Sequence, residues 1–283
     1  MKKKVLIITN RFKDSEMKTT TRLRKFLKEK GVECVCASVD RKTKKLDPVL
    51  LDNIAFAMIL GGDGTIMQFA NQLSDADLPI LGINMGHLGY LAETDSANAE
   101  KILERVLDGD YKIQERMMLS GSVIKNGHAV IKETAVNDVV ITRSGRLQVL
   151  CFNIYINGKL LKNYNADGVI LSTPTGSTAY NLSAGGPIVD PGAEILIFTP
   201  ISPHTLMNRS LVLKATDNVE IEVLATHEDE TEEVMEATFD GKPIAKLSMG
   251  DRVAVTRGDR YVKMISLNEI SFMEILHRKM KES

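Results

Sequence analysis

The sequence predicts an α/β N-terminal open sheet of Rossmann-like type followed by a mainly-β, sandwich-like domain, with a C-terminal helix packing back on the first domain. Three observations carry this reading. Strand and helix patterns alternate through the N-terminal third; the texture then changes to short strands punctuated by Asn-Gly and Asp-Gly pairs; and the chain closes on an amphipathic helix. At 283 residues the chain exceeds the usual size of one domain. The expected division is 1–110 with 267–283 for the α/β domain, and 111–266 for the β domain.

Residues 5–9 read as a buried strand. Residues 16–30 carry Leu23, Phe26 and Leu27 at helical spacing before Gly31, a natural C-cap. A β-branched strand returns at 32–39. The almost wholly apolar run at 54–60 fits a parallel strand covered on both faces, and 79–83 repeats it. Helices are expected at 66–73 and 96–107. Beyond Tyr111, Asn126-Gly127, Asn157-Gly158 and Asp240-Gly241 mark tight turns between strands. A helix is expected at 177–183, and the last, 272–280, places Phe272, Ile275 and Leu276 on one face.

Composition narrows the function. Hydrophobic residues make up 43% and charged residues 26%, values of an ordinary folded chain. The 36 basic and 37 acidic residues nearly cancel, so no global field favours nucleic acid or an acidic membrane. The acidic run Glu228 to Glu233 and the basic run Arg41 to Lys45 read as solvated loops. No apolar run reaches bilayer-spanning length, and the apolar stretch after Met1–Lys4 is too short for a signal peptide. Cys34, Cys36 and Cys151 show no metal-ligand spacing and read as reduced thiols in a cytoplasmic compartment. The histidines, His87, His128, His204, His227 and His277, show no spacing for zinc.

Gly61-Gly62-Asp63-Gly64-Thr65 follows an apolar strand and precedes a helix, at the strand end where open α/β sheets bind ligands. Glycines permit positive φ and close backbone approach, so amides and the helix terminus can hold phosphate oxygens. A carboxylate there opposes an anion unless it serves a metal ion or takes a proton, which points to phosphoryl transfer. The competing reading is a tight turn with Asp63 as helix N-cap. The segment Ser172 to Tyr180 gathers hydroxyls, a proline and a glycine before a helix. It reads either as a dense donor and acceptor surface for a nucleotide, with Tyr180 as a stacking face, or as a capped helix entry. Asn137-Asp138 at a strand entrance suits vicinal ribose hydroxyls or a simple turn, and the glycine-punctuated loop Asn84 to Tyr90 either joins the site or merely connects.

In order and spacing, GGDGT, the loop Gly82 to Leu91, Asn137-Asp138 and the segment Asp167 to Tyr180 resemble the NAD kinase family over most of the chain. The resemblance implies ATP-dependent, metal-assisted phosphorylation of the 2′-hydroxyl of the adenosine ribose of NAD, giving NADP. It implies Asp63 as the catalytic base or metal-organising carboxylate, with Gly61, Gly62, Gly64 and Thr65 at the phosphates. Tyr90, Asn137, Asp138, Asp167, Thr178, Ala179, Tyr180 and Ser183 would contact NAD, making 111–266 the NAD-binding and oligomerisation domain. A divalent ion, Mg²⁺, would be the cofactor without a dedicated protein-held site, Asp63 reaching it through water. ATP would be the donor, with inorganic polyphosphate used by some members. Similar proteins are homodimers or homotetramers whose NAD site borrows residues from a neighbouring subunit. The family often carries Asn-Glu where this chain has Asn137-Asp138, one methylene shorter. Two alternatives stay open: a lipid kinase of the diacylglycerol or sphingosine type, which shares GGDGT, and a non-catalytic NAD(P)-sensing protein.

Overall fold

The computed structural model describes residues 4–40, 42–43, 45–86, 89–144, 149–204, 209–224, 235–267 and 271–282. His87, His227, the acidic run 228–233 and, of the basic run, Arg41 and Lys44 lie outside them. The chain divides into two compact units, Met1–Glu115 with Val262–Ser283, and Arg116–Tyr261.

The first unit is built from β1 (Lys4–Asn10), α1 (Lys18–Glu29), β2 (Cys34–Val39), β3 (Ile54–Gly61), α2 (Asp63–Asp75), β4 (Ile80–Asn84), β5 (Thr94–Asp95) and α3 (Ala99–Leu107). The strands lie parallel in the order β2-β1-β3-β4. The chain's last strand joins through Met264 opposite Ile80. Val5 to Thr9 and Phe56 to Gly61 are buried without alternation, as parallel strands covered on both faces require. Leu23 and Leu27 of α1 and Ile102, Leu103 and Val106 of α3 pack with Ile7, Met58 and Leu81 in one core.

Helix α1 begins two residues later than its sequence pattern suggests. Asp14 accepts hydrogen bonds from the amides of Thr19 and Thr20 and from the Thr20 hydroxyl, while Met17 takes the left-handed conformation (φ 55°). The order β2-β1-β3 reverses between β1 and β3, so their carboxyl ends, Asn10 and Gly61, flank the switch point where such sheets hold ligands.

The second unit comprises most of β6 (Lys112–Lys125), β7 (His128–Ala135), β8 (Asp138–Arg143), β9 (Leu150–Ile156), β10 (Lys159–Ala166), β11 (Gly168–Ser172), α4 (Tyr180–Ser183), β12 (Ile195–Ile201), β13 (Leu211–Lys214), β14 (Val219–Leu224), β15 (Met235–Phe239), β16 (Lys242–Leu247) and most of β17 (Arg252–Ser266), the first residues of β6 and the last of β17 belonging to the first unit. The antiparallel path β13-β12-β11-β8-β15-β16 and the path β10-β9-β14-β17 share one core, with Val139, Val169 and Phe239 from the former against Phe152, Val219 and Val255 from the latter. Asn126-Gly127, Asn157-Gly158 and Asp240-Gly241 each have both φ values positive, from 47° to 77°, and close the hairpins β6-β7, β9-β10 and β15-β16.

The helix expected over 177–183 is not continuous. A 3-10 turn, Thr175–Thr178, is followed by the single turn α4, and Ala179 (φ −99°, ψ −129°) separates them. The Ser177 carbonyl accepts from Asn181 Nδ2 instead of feeding a longer ladder. The terminal helix α5 (Phe272–Glu282) belongs to the first unit, with Phe272, Ile275 and Leu276 half-buried as expected. Among the described residues no helix is long and apolar enough to cross a membrane.

Candidate active site

Strand β3 delivers the glycine loop to the start of α2. A side chain at Gly61 would stand 2.6 Å from the Thr65 Cβ and Oγ1, so the strand can turn into the helix only without one. Gly62 and Gly64 have open space where a Cβ would stand, which leaves the backbone at the helix start approachable by an anion. None of these glycines has positive φ, and Gly62 is extended (φ −118°, ψ −176°). The sequence argument from left-handed backbone is therefore corrected: here glycine supplies space.

Asp63 is the first residue of α2 and does not cap it; the N-cap position is Gly62. Its carboxylate is turned instead to the loop after β4, where Oδ2 accepts from the Tyr90 amide at 2.7 Å and Oδ1 from the Leu91 amide at 3.2 Å. The N-cap alternative falls with this geometry. Tyr90 turns its ring toward α5, 6.3 Å from Phe272 with Lys279 Nζ 5.9 Å from its centroid, and burial with the Asp63 charge raises its phenol pKa. On the other side, Asn10 Nδ2 donates to Thr65 Oγ1 at 2.9 Å while Asn10 Oδ1 accepts from the Phe12 amide, tying the loop after β1 to GGDGT. Nothing in the sequence singles out Asn10, a polar residue at a strand end.

In the second unit a cleft of about 320 Å³ is lined by Asn137, Asp138, Ala179, Tyr180, Thr238 and Asp240, among others. Asp240, at the tip of the β15-β16 hairpin, accepts from the amides of Val136 (2.9 Å), Asn137 (2.7 Å) and Asp138 (3.3 Å). This clamp fixes the entrance to β8, and burial raises the Asp240 pKa against those same hydrogen bonds. Asp138 is buried, and burial together with the Asp240 charge pushes its pKa up to about 7. Two carboxylates so close, one able to hold a proton near neutrality, can both donate to and accept from sugar hydroxyls.

The hydroxyl-rich segment is less open than its composition suggests. Thr173 Oγ1 donates to the Val136 carbonyl and accepts from the Gly176 amide, and Ser177 Oγ is bonded to Val189. Gly176 lies against the Asn137 carbonyl, where a side chain would collide. These groups build the cleft wall, so the expectation of a dense donor surface narrows to its end. Thr175 Oγ1 is buried with no hydrogen-bond partner among the described residues, and Tyr180 is 45% exposed. Ser183 is exposed on α4, and Thr178 is half-buried beside Ala179. Asp167 stands apart: it precedes β11 at the end remote from Thr173 and pairs with Arg143 at 3.1 Å.

Two family models cover most of the chain, the ATP-NAD kinase N-terminal domain over residues 5–111 and the ATP-NAD kinase C-terminal domain over 136–267. The chain belongs to the NAD kinase family. It is 42% identical to the NAD kinase of Lachnospira eligens, covering 97% of this chain and 98% of that one, and 37% identical to that of Caldanaerobacter subterraneus, covering 99% of each. Among solved structures, yeast NADH kinase complexed with NADH superposes with a TM-score of 0.83 at 24% identity, over 99% of this chain and 88% of that one. An Archaeoglobus fulgidus NAD kinase in complex with ATP gives 0.76 at 20% identity, over 99% of both. At those identities the superpositions speak to fold, and they agree with an α/β unit, a mainly β unit and a C-terminal helix.

Family membership leaves the lipid-kinase alternative without support. The sequence reads Asp240 as a turn residue before a ligand contact, and Thr175 only as part of the Ser172 to Tyr180 segment. Asp240 sits in an Asp-Gly pair that serves equally as a hairpin turn, and Thr175 is one hydroxyl among several. The signal for both is spatial, since each becomes distinctive only when its partners are seen. Among the described residues no three or more His, Cys, Asp or Glu side chains gather to hold a metal ion.

Proposed function

We propose that this chain transfers the terminal phosphoryl group of ATP to the 2′-hydroxyl of the adenosine ribose of NAD, forming NADP and ADP. The observation that carries the reading is the Asp63 carboxylate, gripped by two backbone amides at the head of an open glycine loop. Each of its oxygens accepts one amide and keeps a further lone pair, so Asp63 can take the proton of the ribose hydroxyl. The α2 N-terminus and the backbone at Gly62 and Gly64 would receive the phosphate oxygens. The cleft in the second unit would hold the NAD ribose and adenine, with Asn137 and Asp138 on the sugar, and Thr178, Ala179, Tyr180 and Ser183 beside the base.

The donor set, a single acidic side chain at the glycine loop, suits Mg²⁺ carried chiefly by nucleotide phosphate oxygens, with Asp63 reaching it through water. Bound there, the ion would neutralise charge on the transferring phosphoryl group. Asp167 is separated from the Thr173 end of β11 by roughly 17 Å, five residues of strand at about 3.3 Å each. That separation supports a role for Asp167 toward NAD bound by a neighbouring subunit of a homodimer or homotetramer. A cytoplasmic location, Tyr90 as an NAD contact and inorganic polyphosphate as a second donor complete the proposal.

Incubating the purified chain with NAD and ATP, with and without Mg²⁺, should give NADP only with the metal. Binding of NAD or NADP without any NADP formation would instead favour the sensing protein.

A further inference from the structure

The triphosphate that GGDGT would receive leaves its purine unassigned, and the loop after β1 offers a place for it. Phe12 is 73% exposed, and of the large exposed hydrophobics among the first unit's described residues only Phe12 and Tyr111 are aromatic. Phe12 alone follows a strand's carboxyl end, and that strand, β1, flanks the switch point. Its backbone is held: the Phe12 amide donates to Asn10 Oδ1 at 3.0 Å, and Asn10 Nδ2 binds Thr65 Oγ1 of the glycine loop at 2.9 Å. An exposed ring on a backbone braced to the phosphate loop is the arrangement a stacking platform needs.

Lys13 supplies the complementary charge. It is rooted on the loop after β1, and its Nζ lies 3.7 Å from where a side chain at Gly86, on the loop after β4, would stand. Because β3 lies between β1 and β4 in the sheet, this side chain reaches across the carboxyl end of β3, where Gly62 to Thr65 begin the helix. GGDGT itself carries no cation, unlike phosphate loops that end in lysine.

We infer that Phe12 and Lys13 form the donor-nucleotide clasp of this chain, the Phe12 ring stacking on the purine and the Lys13 ammonium pairing with the polyphosphate. The inference rests on the proposed kinase reading but can fail separately from it. Stacking on an aromatic side chain is worth about 1–3 kcal/mol per base, or roughly 5- to 150-fold in affinity.

The sequence contains no tryptophan, so Phe12→Trp places a lone reporter at the site. Titrating that variant with a non-hydrolysable ATP analogue should quench its emission, while tripolyphosphate, which has no base, should leave it nearly unchanged. Phe12→Ala should raise the KM for ATP about tenfold, leave the KM for NAD alone, and leave competitive inhibition by tripolyphosphate intact. Lys13→Ala should weaken the analogue and tripolyphosphate alike. Thermal melts close to wild type, expected at such exposed positions, verify folding. Unquenched indole emission in Phe12→Trp, together with an unchanged KM for ATP in Phe12→Ala, overturns the inference. Should the wild-type chain form no NADP, the kinase reading fails while the quenching titration still decides the clasp.

Discussion

The Gly89 backbone lies directly against the Asp63 carboxylate, so close that a Cβ at position 89 would overlap all three of its carboxyl atoms. With the next two amides donating to the same group, residues 89–91 form a socket shaped for one side chain in one position. Gly89→Ala should expel the carboxylate from that socket. We expect kcat to fall by about 10²-fold, at the lower edge of what a positioned general base contributes, with a small drop in melting temperature. Near-normal kcat in Gly89→Ala would mean that the socket has no bearing on the chemistry.

Asp63→Asn keeps the size of the side chain and removes its capacity to take a proton. An amide also puts an NH2 donor where one carboxylate oxygen stood, so one of the Tyr90 and Leu91 amides would face a donor instead of an acceptor. Turnover should be nearly abolished, a loss on the order of 10²–10⁴, while the NAD dissociation constant stays within a few fold. Turnover close to wild type would remove Asp63 from its catalytic role.

How much of this could be read from the sequence depended on whether the information is local. The unalternating apolar runs of β1 and β3 and the Asn-Gly and Asp-Gly hairpins are local patterns, and the structure carries them as expected. Asp63 was visible because a carboxylate among glycines is chemically odd. Its partners were not, because the amides of Tyr90 and Leu91 lie 27 and 28 residues away and an amide has no sequence identity. The same holds for Asp240, which clamps β8 across more than a hundred residues. Hydroxyl-rich composition left Ser172 to Ser177 open between two readings, since it does not say whether a hydroxyl faces a ligand or closes the turn that carries it.

Asp138 should make both stability and NAD binding depend on pH, in opposite directions. Its carboxyl titrates near pH 7 when folded, raised by burial and the Asp240 charge from 3.8. Between those values the folded chain holds the extra proton, so stability falls as pH rises from about 4 to about 7 and is level above. A charged Asp138 is the better acceptor for ribose hydroxyls, so NAD affinity should rise through the same upper range. Melting temperatures and calorimetric NAD titrations from pH 5.5 to about 8.5, compared with Asp138→Asn, check this. Equal slopes in the two proteins would assign the effect elsewhere.

Tyr180 lines the cleft with 45% of its surface exposed, together with Ala179, Asp138 and Asp240. Little of the fold depends on its ring. Tyr180→Ala should weaken NAD binding by roughly 1–3 kcal/mol, the range for an aromatic stacked on a base, and leave the melting temperature within a few degrees. Calorimetry showing unchanged affinity would remove the stacking face from the proposed NAD site.

The terminal helix reaches the chemistry through Tyr90. Phe272 and Lys279, two turns apart on α5, both lie against the Tyr90 ring, and the amide of that same residue holds Asp63. Phe272→Ala removes the aromatic partner, worth about 0.5–1.5 kcal/mol beyond its buried area, and loosens the seating of residues 90–91. Because the change touches Asp63 only through the loop, kcat should drop several fold with the pH profile unmoved, and the KM for NAD should rise modestly because Tyr90 is also a proposed NAD contact. Phe272→Leu, which refills most of the volume, should recover part of the loss. A Phe272→Ala variant that melts earlier but turns over at the wild-type rate would confine α5 to stabilising the first unit.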